Sequence, residues 1–243
     1  MPKITSKIPF VPVQPSMTGS VAAPKAVAQA SEPEYSLAPN AKGLVDAHKR
    51  AESAQSQVAM VNGSVEINQA ADELLRSVAE ELSSQLSDRG QETKANDVMA
   101  NLEKFFEKTG PARGYRLDPE RGTMASLEDN GERMDKVMAQ LETMVGELRK
   151  VNAEPANECQ QAYNRQAYGE SIAQEGVFAL AFEKAYNKAP DTKAVIEKAE
   201  RFFQNLPGRV ESQVESQGGS MEPLERSGAL ARALAKQAEA LAR

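Results

Sequence analysis

The residues best suited to chemistry lie in one stretch. From Gly110 to Gly122 the chain reads Gly-Pro-Ala-Arg-Gly-Tyr-Arg-Leu-Asp-Pro-Glu-Arg-Gly, with Arg113, Arg116 and Arg121 set among glycines beside Tyr115. A guanidinium on a Gly-flanked loop can reach a phosphate and stabilise charge on a transferring phosphoryl group. The plainer reading of the same residues is a solvated basic loop. Arg113 is the one candidate for a catalytic role.

Nothing else in the chain assembles into a reactive set. His48 is the only histidine and Cys159 the only cysteine. That excludes an internal disulfide, a multi-thiolate metal site and a paired-His metal site. His48 is expected on the surface of a polar helix, and Cys159 as a small, partly buried helix residue. No Gly-Lys-Ser/Thr phosphate loop occurs. Glu128-Asp-Asn-Gly-Glu132 lacks the alternating ligand spacing of a calcium loop and reads as a helix-capping turn. Glu103 and Glu200 sit beside Lys104 and Arg201, as exposed charge pairs on helices do. No cofactor and no metal is expected, and the chain is read as non-enzymatic.

The segment Gly110-Pro-Ala-Arg113-Gly114 resembles the Gly-x-Leu-Arg loop of bacterial effectors that activate Rho-family GTPases. Ala112 stands where that loop has leucine, and the family's second Gln/Trp/Gly-rich motif has no counterpart here. The resemblance implies a helical bundle with Arg113 as an arginine finger.

The elements that must carry this loop are helical. Residues 1–38 form a segment apart, with Pro2, Pro9, Pro12, Pro15, Pro24 and Pro33 among Ser, Thr, Ala and Val. Proline at that density blocks helix and central strand alike, so a disordered N-terminal segment is expected, serving as a secretion or partner-binding signal. Two prolines interrupt Ile8-Pro-Phe-Val-Pro-Val13, so it is no Sec-type apolar core.

Helical periodicity governs the body, 39–208. A first helix is expected from Pro39 to Val61, broken at Asn62-Gly63-Ser64. A second, 65–87, carries Ile67, Ala71, Leu74, Leu75, Val78, Leu82 and Leu86 on one face and stops at Asp88-Arg89-Gly90. A third spans 91–108, with Val98, Leu102, Phe105 and Phe106. A fourth spans 130–151, with Met134, Val137, Met138, Leu141, Val145 and Leu148. A fifth is expected over 155–188, softened at Gly169 and Gly176, and a sixth over 192–206, capped by Asp191. Beyond a polar linker, residues 209–243 end in an amphipathic helix with Leu230, Leu234 and Leu241 on one face, shaped for docking on another helix.

A short motif recurs, Val98-Met-Ala-Asn-Leu-Glu-Lys-Phe-Phe106 and Val195-Ile-Glu-Lys-Ala-Glu-Arg-Phe-Phe203, each after Thr-Lys-Ala. Four of the seven phenylalanines lie in these pairs, in a chain with no tryptophan. Two equivalent packing points are therefore expected. Two adjacent side chains cannot both face inward on one ideal helix, so one of each pair should reach a second helix or a partner. Phe105, Phe106, Phe202, Phe203, Leu230, Leu234 and Leu241 are the candidate partner-binding residues.

The fold class is thus all-α: an elongated bundle of six or seven helices, nearly strand-free. With 243 residues and a formal net charge of −6, a phosphate-backbone binder is disfavoured, and no nucleic-acid partner is expected. No run of apolar residues is long enough to span a bilayer. The Pro/Ser-rich N-terminus followed by Ala/Gln/Glu-rich helices resembles, in composition, the substrates and gatekeeper-type regulators of type III secretion. That resemblance implies a protein partner such as a chaperone or export gate, and a location in the bacterial cytoplasm or outside the cell without a Sec signal. A phage or virion structural, scaffold or ejection protein, self-assembling as a homo-oligomer, is the rival reading.

Overall fold

A computed structural model describes residues 39–115, 122–154, 160–202 and 240–241. Helix α1 is Pro39–Glu52, α2 Gln57–Asp88, α3 Glu92–Thr109, α4 Gly122–Asn152 and α5 Gln160–Lys188. A sixth helix, α6, covers 192–202, and Ala240 and Leu241 are also helical. Among the described residues there is no strand.

Helix α2 is the hub. Its 32 residues span about 48 Å at roughly 1.5 Å per residue, and α1, α3, α4 and α5 all pack on it. Side-chain pairings set the directions. Gln57 meets Thr123 and Asp72 meets Arg133, so α2 and α4 run parallel, with α3 as the return between them. Helix α1 folds back antiparallel along α2, with Asn40 bonded to Ser77 at 2.7 Å. Helix α5 runs beside α1 in the same direction, since Ala41, His48 and Glu52 meet Glu175, Glu183 and Tyr186 in turn.

The core follows the apolar stripes read from the sequence. Leu74, Leu75, Val78 and Leu82 of α2 are buried against Val137, Leu141, Val145 and Leu148 of α4 and Phe178 and Phe182 of α5. Each such aliphatic or aromatic side chain removed from water is worth about 1.5–3 kcal/mol. Asp191 caps α6 as expected, its carboxylate accepting the Ala194 N–H at 3.2 Å.

Two boundaries and the reading of two glycines differ from the sequence expectation. The α1–α2 break falls at 53–56, where Ser56 caps α2 by accepting the Ala59 N–H at 3.2 Å. Asn62, Gly63 and Ser64 are inside α2. A glycine in a helix interior costs up to about 1 kcal/mol, but here it lets α1 come close: a Cβ at Gly63 would lie 2.6 Å from Ala51 Cβ and 2.9 Å from its Cα. Residues 128–132 are likewise no capping turn, because α4 already starts at Gly122. Gly169 and Gly176 are close-approach points and not soft ones. A Cβ at Gly176 would meet Val145 Cγ2 at 2.3 Å, and one at Gly169 would meet the Asn152 amide at 2.7 Å.

Candidate functional site

The Arg/Gly loop leaves α3 at Gly110, whose φ of +71° turns the chain out of the helix. Residues 110–115 then lie along the N-terminal half of α4, held there by a buried polar lattice. Asn130 of α4 bonds both sides of one residue. Its Oδ1 accepts the Arg113 N–H at 2.7 Å, and its Nδ2 donates to the Arg113 carbonyl at 2.9 Å. Ser126 donates to the Gly114 carbonyl at 3.1 Å, and Arg133 Nε donates to the Gly110 carbonyl at 2.8 Å.

This first layer rests on a second. The Arg133 guanidinium forks onto both carboxylate oxygens of Asp72, at 3.0 and 2.7 Å, and also donates to Asn68 Oδ1 at 3.0 Å. Asn68 donates to the Ser64 and Asn130 carbonyls at 3.0 and 3.1 Å. Asn130 Nδ2 also donates to Ser64 Oγ at 2.8 Å. Asn68, Asn130 and Arg133 are each almost wholly buried. Burying an arginine and two amides is costly unless every group is bonded, and here the lattice bonds them.

What the lattice displays is exposed. Arg113, Tyr115 and Met124 face solvent, as does Val58 at the start of α2. The Gln57–Thr123 bond at 3.2 Å brings the last two elements together. Arg113 pairs with Asp129 at 3.0 Å, both side chains more than a third exposed. Such surface pairs are worth about 0–1 kcal/mol, so the guanidinium can change partner cheaply.

A second polar cluster involves His48, which the sequence reading placed on the surface. It is instead 4 % exposed, its Nε2 bonded to the buried Glu183 carboxylate. Phe182 and Tyr186 lie against the imidazole at 5.2 and 4.2 Å between centroids. The polar look of α1 misleads because it packs on α5 as well as on α2, and α5 supplies the histidine's partner. Burial, with help from Glu52, pushes the Tyr186 hydroxyl well above its usual range, and that hydroxyl donates to Glu52 at 3.2 Å. About two turns from Glu183, Glu175 lies under the first turn of α1, accepting the Ala41 N–H at 3.4 Å. Burial raises its carboxyl to about 8, against the lowering effect of the Ala41 and Asn40 amides.

The four described candidate partner-binding residues, Phe105, Phe106, Phe202 and Leu241, pack on the chain's own core. Phe105 and Phe106 are half-buried on α3, edge to face at 5.5 Å, with the Arg76 guanidinium of α2 4.4 Å above Phe106. Phe202 stacks on Phe178 of α5 at 4.4 Å. Leu241 is buried in the chain's own core. Phe203, Leu230, Leu234, Arg116, Arg121 and Cys159 lie outside the described residues. Sequence reasoning missed Ser126, Asn130, Arg133, Asn68 and Asp72. The signal was there, because Ser126, Asn130 and Arg133 continue the buried stripe of Val137 and Leu141 backwards at 3/4 spacing.

Among the described residues, no group of three or more His, Cys, Asp or Glu is placed to hold a metal ion. No helix among them is long and apolar enough to cross a membrane. No family model, curated protein or solved structure matches the chain.

Proposed function

We propose that the chain is a non-enzymatic helical interaction protein that binds a protein partner through the loop end of the bundle. Arg113, Tyr115 and Met124 are the contacts, with Val58 beside them. One observation carries the reading: the buried Asn130 and Arg133, in the lattice that ties α2 to α4, also fix the backbone of a surface loop. A solvated connector needs no such support. A loop that must present side chains in one geometry does, because preorganisation removes the ordering cost of binding. Tyr, Arg and Met are also the types enriched at protein interfaces. The setting proposed with it is a bacterial secretion or assembly machine, supported by the composition of the N-terminal segment and helices.

The arginine-finger reading is weaker, since the second motif that accompanies such a loop in those effectors has no counterpart in this sequence. A photo-crosslinking side chain at Tyr115 in the native host tests the proposal. One discrete partner should be captured, and the capture should vanish when Arg113→Ala and Met124→Ala are added. Equal capture by that variant and the parent would remove the reading.

A further inference from the structure

The turn between α1 and α2 is unlike the other described turns in the body. Gly90 separates α2 from α3, Gly110 and Pro111 follow α3, and Pro190 separates α5 from α6. The α1–α2 turn is Ser53-Ala54-Gln55-Ser56, with neither glycine nor proline. Nothing in those four residues prevents helix, and helical periodicity reads straight through them. What keeps the turn closed is local capping and the distant grip of α5. Ser53 Oγ donates to the Arg50 carbonyl at 2.8 Å, and Ser56 caps α2. Glu175, Glu183 and Tyr186 of α5, with Glu200 of α6, hold Ala41, His48, Glu52 and Lys49 of α1.

We infer that α1 is an exchangeable arm: two copies of this chain can swap it reciprocally, each turn straightening so that α1 and α2 form one helix. The seat that α1 leaves is then filled by the partner copy's α1. Leu44, Val45, Ala47 and His48, all buried at this seat, would be buried again by identical surfaces. A helical turn would also replace the bent turn's Ala54 N–H bond to the Ala51 carbonyl, at 3.1 Å, with the regular intrahelical ladder. Domain swapping is favoured by this combination, a short connector able to extend and an arm whose contacts are all recoverable. The second copy is the fitting occupant because the seat is specific. A carboxyl must meet a helix N-terminus at Glu175, Glu183 must meet a histidine, and Gly63 admits no more than an alanine at 51. This inference does not rest on the docking reading above.

The test uses the full chain. Sedimentation from micromolar to millimolar concentration should show a monomer–dimer mixture that shifts to dimer. Ser56→Ala removes a cap needed only in the closed turn. It should raise dimerisation about five-fold per chain, the change that a lost cap of about 1 kcal/mol produces. Gln55→Pro, which a continuous helix cannot accept, should lower it below wild type. If that variant loses its helical melting transition, Gln55→Gly replaces it, with a fall of about five-fold per chain expected. Exchange itself is read by refolding together two single-cysteine chains, both Cys159→Ser, one with Asn40→Cys and one with Ser77→Cys. These neighbours on α1 and α2 should then join different chains in the dimer fraction. Two results would overturn the inference: monomer for wild type and Ser56→Ala throughout, or a dimer in which 40 and 77 do not cross-link.

Discussion

Asn130 grips the peptide of Arg113 from both sides, accepting from its N–H at 2.7 Å and donating to its carbonyl at 2.9 Å. A side-chain amide can do this because it carries a donor and an acceptor in one plane. Asn130→Ala removes donor and acceptor together, leaving the Arg113 N–H and carbonyl without this partner. The loop should then loosen while α4 stays intact. Hydrogen exchange should show the Arg113 amide losing its protection, with a global cost of about 1–3 kcal/mol. If the Arg113 amide stayed as protected as in the wild type, Asn130 would not be what fixes the loop.

Glycines separate close approach from mere flexibility. Gly131 and Gly146 are within α4, and a Cβ at either meets nothing within 4 Å. Gly131→Ala and Gly146→Ala should each stabilise by about 0.5–1 kcal/mol, through lower backbone entropy in the unfolded chain. Gly63→Ala should destabilise, because the added atom meets Ala51 Cα and Cβ, and backbone cannot move aside as a flexible side chain would. Thermal melts of the three variants check the opposite signs. A stabilised Gly63→Ala would mean that α1 does not pack against α2 at Ala51.

The contrast between these glycines shows what was legible in the sequence. The apolar stripes of α2 and α4 were legible because Leu74, Leu82, Val137 and Leu141 bury by helical period alone. The end of α2 was legible too, since Gly90 adopts the left-handed φ of a helix stop. The α1–α2 turn was not, because no residue in 53–56 breaks a helix and the decision is made by α5, over 120 residues away. His48 was misplaced for the same reason. The Arg/Gly loop stood out, but its support did not. Asn130 and Arg133 do lie on the stripe of Val137 and Leu141, but Asn68 and Asp72 look like ordinary solvated helix residues until α2 and α4 are set side by side.

The imidazole of His48 and the carboxylate of Glu183 are both buried and bonded to each other. Removing one partner leaves the other without compensation in an apolar setting beside Phe182. His48→Ala should therefore destabilise by about 3–5 kcal/mol, well beyond the loss of packing area on an exposed helix. Replacing both, His48→Leu with Glu183→Leu, should recover most of that loss, because two apolar groups need no partner. Denaturant midpoints of the single and double variants decide it. Additive losses in the double variant would show that the two side chains are not coupled.

Glu175 gives the chain a pH signature whose sign follows from its burial. Its carboxyl ordinarily titrates at 4.5, and in the folded protein burial raises it to about 8. Between those values the folded chain holds a proton that the unfolded chain has released. Stability from this group is thus fully present below the ordinary carboxyl range and falls as pH rises through about 8. Glu175→Gln keeps the shape and the acceptor for the Ala41 N–H but cannot ionise. Relative to wild type, that variant should gain stability steadily from about pH 5 to about pH 9 and then hold a constant lead. The difference between the two chains isolates this site, since every other titrating group is common to both. Denaturant unfolding of the pair across that range reads it directly. A difference that did not change with pH would mean that Glu175 meets water, and that the first turn of α1 does not cover it.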